Sequence, residues 1–292
     1  MRTPSRRLFA VLLLGFASLA SLRAAEDVKT EEDVVYGHKD GMALTFVVVR
    51  PAKPNGAGIL WLQSGGWYSV WQDARVWPSA CKPYLDKGFT VFIVRHGSAP
   101  KYAVPEAIED VRRSVRVIRM KAKRFGVDPE RLGVFGGSAG GHLSLMLGTT
   151  GDDGDAKSKD AVLKTSSRVA AVVALYPPTD LRGWTTNPPA EIKKHAGLKP
   201  PLTFDAKKEP DCSPILKVTE RTAPTLMIHG DQDLLVTIDH STKMLAVLEK
   251  EKVPCKLVTI EGAAHGFTPK QNQDVVMPAM LGWFEKHLAK KK

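Results

Sequence analysis

Apolar and polar positions change period repeatedly along this chain. Val34–Tyr36 and Leu44–Val49 read as two strands turned at Lys39-Asp40-Gly41. Ile59–Leu62 is a short apolar strand, and Phe89–Val94 a continuous apolar run of the kind expected of a parallel strand covered on both faces. Between them Val76–Lys87 reads as a helix ending at Gly88. The clearest helical pattern runs from Glu106 to Arg124, where Ile108, Val111, Val115, Ile118 and Ala122 recur at spacings of 3 and 4 and so share one face. Pro105 suits its first turn, Glu106, Glu109 and Asp110 complement its N-terminus, and Gly126 ends it. The rhythm continues with strands at Leu132–Phe135, Val169–Leu175, Thr225–Ile228 and Lys256–Ile260. Helices are expected at Ala139–Leu147, Ile238–Lys250 and Val275–Leu288, with a charged loop at Gly151–Asp160. Strands alternating with helices predict an α/β fold, a mostly parallel sheet with helices on both faces.

One stretch breaks the rhythm. Eight of the twenty prolines lie between Pro177 and Pro214. So long an irregular segment is expected to cross the carboxyl edge of the sheet, where ligands bind, as a cap or substrate loop within a single domain spanning 26–292.

Composition narrows the class. In 292 residues, 43% are hydrophobic, enough to bury a full core, which excludes disorder. Three cysteines (Cys81, Cys212, Cys255) exclude a disulfide scaffold and permit at most one bridge. The net charge of +11 suggests a polyanionic partner until it is located. Residues 1–25 pair Arg2, Arg6 and Arg7 with an apolar run from Leu8 to Ala20, too short to span a bilayer, and read as a secretory signal. Export to the periplasm or the exterior is therefore expected, with no integral membrane span once the signal is removed. Cleavage after Ala24 or Ala25 would lower the charge to +7. Much of the remainder sits on the Glu106–Arg124 helix and in Lys290–Lys292, and is expected to be solvated surface. With no nucleic-acid motif beside it, no nucleic-acid partner is expected.

Candidate chemistry centres on Gly136-Gly137-Ser138-Ala139-Gly140, a G-x-S-x-G string that follows a strand and opens a helix. That context suits a nucleophile elbow, a strained turn that exposes the serine hydroxyl. A phosphate cradle is the bland alternative, but the Walker lysine is missing. Serine needs a histidine base, and the base an orienting carboxylate. His265, just past the last strand, is placed where a base belongs; His229 and His142 are expected to be structural. Asp231 and Asp233 follow a strand and are the acid candidates, with Asp180 a third. Backbone N–H groups must hold the oxyanion, one from Ala139 and others from Gly65 and Gly66 in the loop after an early strand. Trp67, Tyr68 and Trp184 either stack on a sugar ring or aromatic acyl group or fill space, and Trp71 is expected to pack in the core.

These blocks resemble the α/β-hydrolase superfamily of serine esterases, most of all the group that includes bifunctional feruloyl and acetylxylan esterase-like (BD-FAE-like) domains. Coverage runs from about Val34 to the C-terminus. The group's H-G-G-G-W appears as Gln63-Ser64-Gly65-Gly66-Trp67, so Gln63 and Ser64 depart from the pattern. Ala99–Asp110 is similar to its A-P-x-x-x-x-P-x-x-x-x-D block, and GGSAGGH (Gly136–His142), HGDQD (His229–Asp233) and His265-Gly266-Phe267 to the nucleophile, acid and base blocks. The resemblance selects Asp233 over Asp231. It implies a triad of Ser138, Asp233 and His265, with oxyanion donors at Gly65, Gly66 and Ala139 and no metal or organic cofactor. The implied substrate is a small-molecule or carbohydrate ester, including acetyl or feruloyl esters. A peptidase or amidase on the same fold, and a non-catalytic binding protein, are the rival readings.

Overall fold

Alternate residues of the central strands leave the backbone on opposite faces, and here both faces are covered. The computed structural model describes residues 28–290; the expected signal segment and the last two lysines lie outside the described residues. Eight strands form one sheet: β1 (Lys29–Lys39), β2 (Met42–Arg50), β3 (Gly58–Leu62), β4 (Thr90–Val94), β5 (Leu132–Gly137), β6 (Ala171–Leu175), β7 (Thr225–Gly230) and β8 (Cys255–Ile260). Their order is β1-β2-β4-β3-β5-β6-β7-β8. β2 runs antiparallel to both β1 and β4, and every pairing from β4 through β8 is parallel.

Phe46, Leu60, Phe92, Val134, Val172 and Met227 point into one core. Their neighbours Val47, Ile59, Val91, Phe135, Val173 and Ile228 point into the other. The first core is closed by α1 (Val104–Met120), α2 (Ala139–Thr150) and α3 (Asp239–Lys250), the second by α4 (Met277–His287) and short helical pieces before β4.

Two expected helices differ in form. Val76–Lys87 is two short helices, Trp77–Ala80 and Lys82–Asp86, each with a proline (Pro78, Pro83) in its first turn. A proline there has no N–H to extend a preceding helix, so each restarts it. The helix expected over Glu106–Arg124 begins earlier, at Val104, and breaks at Lys121 before a single turn, Ala122–Phe125, closed by Gly126 at φ +69°.

The arginines of α1 are not the solvated face that the charge pattern suggested. Arg116 binds the Asp152 carboxylate (2.6 Å) and the Thr165 carbonyl. Arg119 donates to the carbonyls of Pro129 (3.1 Å), Ser166 (2.7 Å) and Arg168 (2.7 Å). Arg112 bonds Thr150 Oγ1 (2.8 Å), and Arg113 pairs with Asp160 (2.8 Å). Part of the basicity thus clamps the irregular segment 151–168 onto the helix.

The Pro-rich segment forms a cap of one α-helical turn (Ala190–Lys194) and four 3-10 turns between Ala196 and Leu216. The buried carboxylate of Glu209 ties it together, accepting from Gly183 N (2.6 Å), Thr185 N (2.8 Å) and Thr185 Oγ1 (2.6 Å). Cys81, Cys212 and Cys255 are all free thiols.

Candidate active site

β5 runs directly into α2 through a single residue, Ser138. Ser138 stands there at φ +52°, a left-handed value costly for a residue with a Cβ. Its neighbours make room for it. A Cβ on Gly136 would meet the Gly140 backbone at 2.5 Å, and one on Gly140 would meet the Leu62 carbonyl at 2.6 Å. Ser138 N–H donates to the Leu175 carbonyl at 2.9 Å, and Gly140 N–H to the Ser64 carbonyl at 3.0 Å. The turn is therefore pinned from both sides, with the serine at the N-terminus of α2, where the helix dipole favours negative charge.

The loops after β7 and β8 bring the other two residues to it. His265 Nε2 lies 2.9 Å from Ser138 Oγ, and His265 Nδ1 lies 2.7 Å from Asp233 Oδ2. With Nδ1–H donating to the carboxylate, Nε2 is left to accept the serine proton. The Asp233 side chain is fully buried. Burial alone would raise its pKa, but bonds from His229, His265 and Val236 N–H outweigh burial and hold it well below the ordinary carboxylate range. Asp231 instead accepts from Gly262 N (2.8 Å) and braces the base loop, while Asp180 pairs with Arg182 in the cap.

The oxyanion loop differs from the expectation at Gly65. Gly66 (φ +55°) and Trp67 (φ +59°) are the central residues of a two-residue hairpin. Its ends are Gly65 N–H to Tyr68 O (3.0 Å) and Tyr68 N–H to Gly65 O (2.9 Å). The Gly65 amide is thus committed to the turn. Among the described residues, the amides of Gly66, Trp67 and Ala139 have no protein acceptor. Ser64, where the family pattern has glycine, gives its hydroxyl proton to buried His96 Nε2 (2.8 Å), whose Nδ1–H faces the Gly97 carbonyl (2.7 Å).

The aromatic candidates separate. Trp67 is buried, and its Nε1–H donates to His142 Nδ1 (3.1 Å). His142 Nε2–H in turn donates to the Cys212 carbonyl in the cap (2.7 Å). Trp184 is buried against Trp67 and His240. Tyr68 lines an outer groove rather than the space over Ser138. Trp71 is 62% exposed, contrary to the expected core position, because its segment runs irregularly over the surface ahead of the first helical turn.

A chamber of about 410 Å³ opens over Ser138, walled by Gly66, Trp67, Tyr176, Trp184, Ile192 and Leu198. Tyr176 was not evident from sequence. It follows β6, stands edge-on to His265 with ring centroids 4.8 Å apart, and packs against Phe267. His229, expected to be structural, is fully buried, with its ring 3.3 Å from Asp233 and donating to Val236 O (2.8 Å), so its structural role is to hold the acid in place. No group of three or more His, Cys, Asp or Glu among the described residues is placed to hold a metal ion.

Fold and site together define an α/β-hydrolase. The BD-FAE family model matches residues 49–248, and the chain belongs to that family. It is 28% identical over 188 residues to esterase LipC of Mycobacterium tuberculosis, covering 62% of this chain and 46% of LipC. The chain thus spans about half the length of that relative. It is 26% identical over 263 residues to ethyl acetate hydrolase of Pseudomonas putida, covering 83% of this chain and 77% of that one. Among solved structures, a truncated carbohydrate esterase from gut microbiota superposes with a TM-score of 0.73 at 23% identity, over 90% of this chain and 97% of that one.

Proposed function

We propose that this protein hydrolyses carboxylic esters through an acyl-serine intermediate, on short-acyl esters such as acetyl groups carried by carbohydrates. The observation that carries the reading is the unbroken line from Ser138 Oγ through His265 to Asp233, at 2.9 and 2.7 Å. Ser138 attacks the ester carbonyl while His265 Nε2 takes its proton, and Asp233 stabilises the imidazolium. The carbonyl oxygen, now an anion, is held by the amides of Gly66 and Ala139 beside the helix N-terminus. Collapse breaks the bond to the alcohol oxygen, which takes the proton from His265. Water then repeats the sequence on the acyl-serine and frees the acid. The names of the relatives support an ester substrate, and the carbohydrate esterase likeness supports the acetylated-sugar choice. Export is part of the proposal and rests on the basic and apolar pattern of residues 1–25.

The test is hydrolysis of p-nitrophenyl acetate and of acetylated xylo-oligosaccharides, with Ser138→Ala beside wild type. Loss of activity by about 10⁴-fold or more is expected. Activity surviving in the variant would remove Ser138 from the reaction, and a wild type that fails to react with a fluorophosphonate probe would make the protein non-catalytic. Faster cleavage of a matched anilide than of the ester would favour an amidase.

A further inference from the structure

Leu198 lies at the junction of three cavities. The first is the chamber over Ser138. The second, of about 610 Å³, lies within the cap, with Trp184, Ile192, Leu202 and Phe204 among its apolar walls and Lys193 and Lys199 also lining it. The third is the outer groove beside Tyr68. Leu198 lines all three. Its Cδ2 sits 2.5 Å from the point where a Cβ on Gly66 would stand, so the leucine rests directly on the oxyanion turn. It projects from a short 3-10 turn, Ala196–Leu198, secured by Leu198 N–H to His195 O (2.8 Å).

The direction of each half of the substrate follows from the hydrolase reading, on which this inference rests. His265 must protonate the departing alcohol, so that group lies on the side of His265 and Tyr176. The acyl group is left with the wall built by Trp67, Trp184, Ile192 and Leu198. Beyond that wall lies the cap cavity, whose surface is mostly apolar.

We propose that the cap cavity is a second acyl compartment, shut off by Leu198, and that Leu198 limits this enzyme to short acyl groups. Removing the leucine side chain joins the two spaces and admits the methylenes of a longer acid.

The experiment compares p-nitrophenyl acetate and octanoate as the ratio of their kcat/KM values, in wild type, Leu198→Ala and Leu198→Phe. A methylene placed in or denied an apolar pocket is worth about 10-fold or more. The octanoate-to-acetate ratio is therefore expected to rise at least about 10-fold in Leu198→Ala and to fall in Leu198→Phe. A wild type that already prefers octanoate, or a ratio that both variants leave unmoved, overturns the proposal. Calorimetric titration with octanoate itself needs no turnover and should show at least about 10-fold tighter binding to Leu198→Ala than to wild type. Equal affinities would overturn the partition. A wild type that hydrolyses no ester would overturn the hydrolase reading alone, and the titration would still decide the role of Leu198.

Discussion

Trp67 holds its backbone at φ +59°, a conformation that costs a bulky residue about 1–3 kcal/mol. Burial of the indole and its bond to His142 offset that cost. Replacing Trp67 with Phe keeps an aromatic ring but leaves His142 Nδ1 without a donor at a fully buried site. A loss of about 1–3 kcal/mol is expected, read from the midpoint of urea unfolding, together with a lower kcat on p-nitrophenyl acetate. At this scale the sequence was informative where a residue type and its place after a strand coincide, as at Ser138 and His265, whereas Asp231 and Asp233 both met that criterion and the family resemblance was needed to choose between them. It was silent on Tyr176, whose partners His265 and Phe267 lie far along the chain, and on the bond between His96 and Ser64. Nor could it show that the Gly65 amide is spent within its own turn, because a glycine pair says that the backbone bends and not which N–H groups stay free.

Helices and loops tell a similar story one level up. The periodicity of α1 identified the buried stripe around Val111 and Val115, but periodicity says nothing about what covers the opposite side. There Arg116 and Arg119 fasten the segment 151–168, and Arg119 alone reaches three carbonyls. A lysine in its place carries one donor centre instead of a planar fork. Arg119→Lys is expected to cost about 1–3 kcal/mol and to speed proteolytic nicking between Gly151 and Arg168, with thermal midpoint and cleavage mapping as the readouts. The Val76–Lys87 segment reads as one helix, a reading that misses the break although Pro78 and Pro83 carry its signal, each opening a helix more readily than it continues one.

For the molecule as a whole, buried neutral histidines set the response to acid. Burial lowers His142 and His240 to about 4, against an ordinary value near 6.5. Between those values the unfolded chain binds protons that the folded one refuses. Stability is therefore complete above about pH 6.5 and falls as the pH drops toward 4, with each ring costing up to about 1.4 kcal/mol for every pH step of one. Urea midpoints measured across pH 7 to 4.5 should decline, and a flat profile would contradict neutral burial of both rings. The sheet was legible in part: the turn at Lys39–Gly41 predicts the β1–β2 hairpin and the alternation of strands and helices a parallel sheet, whereas the antiparallel placement of β2 beside β4 depends on long-range pairing.

The contact between His142 and the cap has a further consequence for how this protein can change. The histidine reaches the cap through the main-chain carbonyl of Cys212, not through its thiol. Every amino acid carries that carbonyl, so the tether itself does not depend on which apolar side chain fills the buried position 212. The cap over the chamber can then diverge in side chains while staying docked to the same helix. New substrate preferences are thereby open to mutation without rebuilding the machinery beneath.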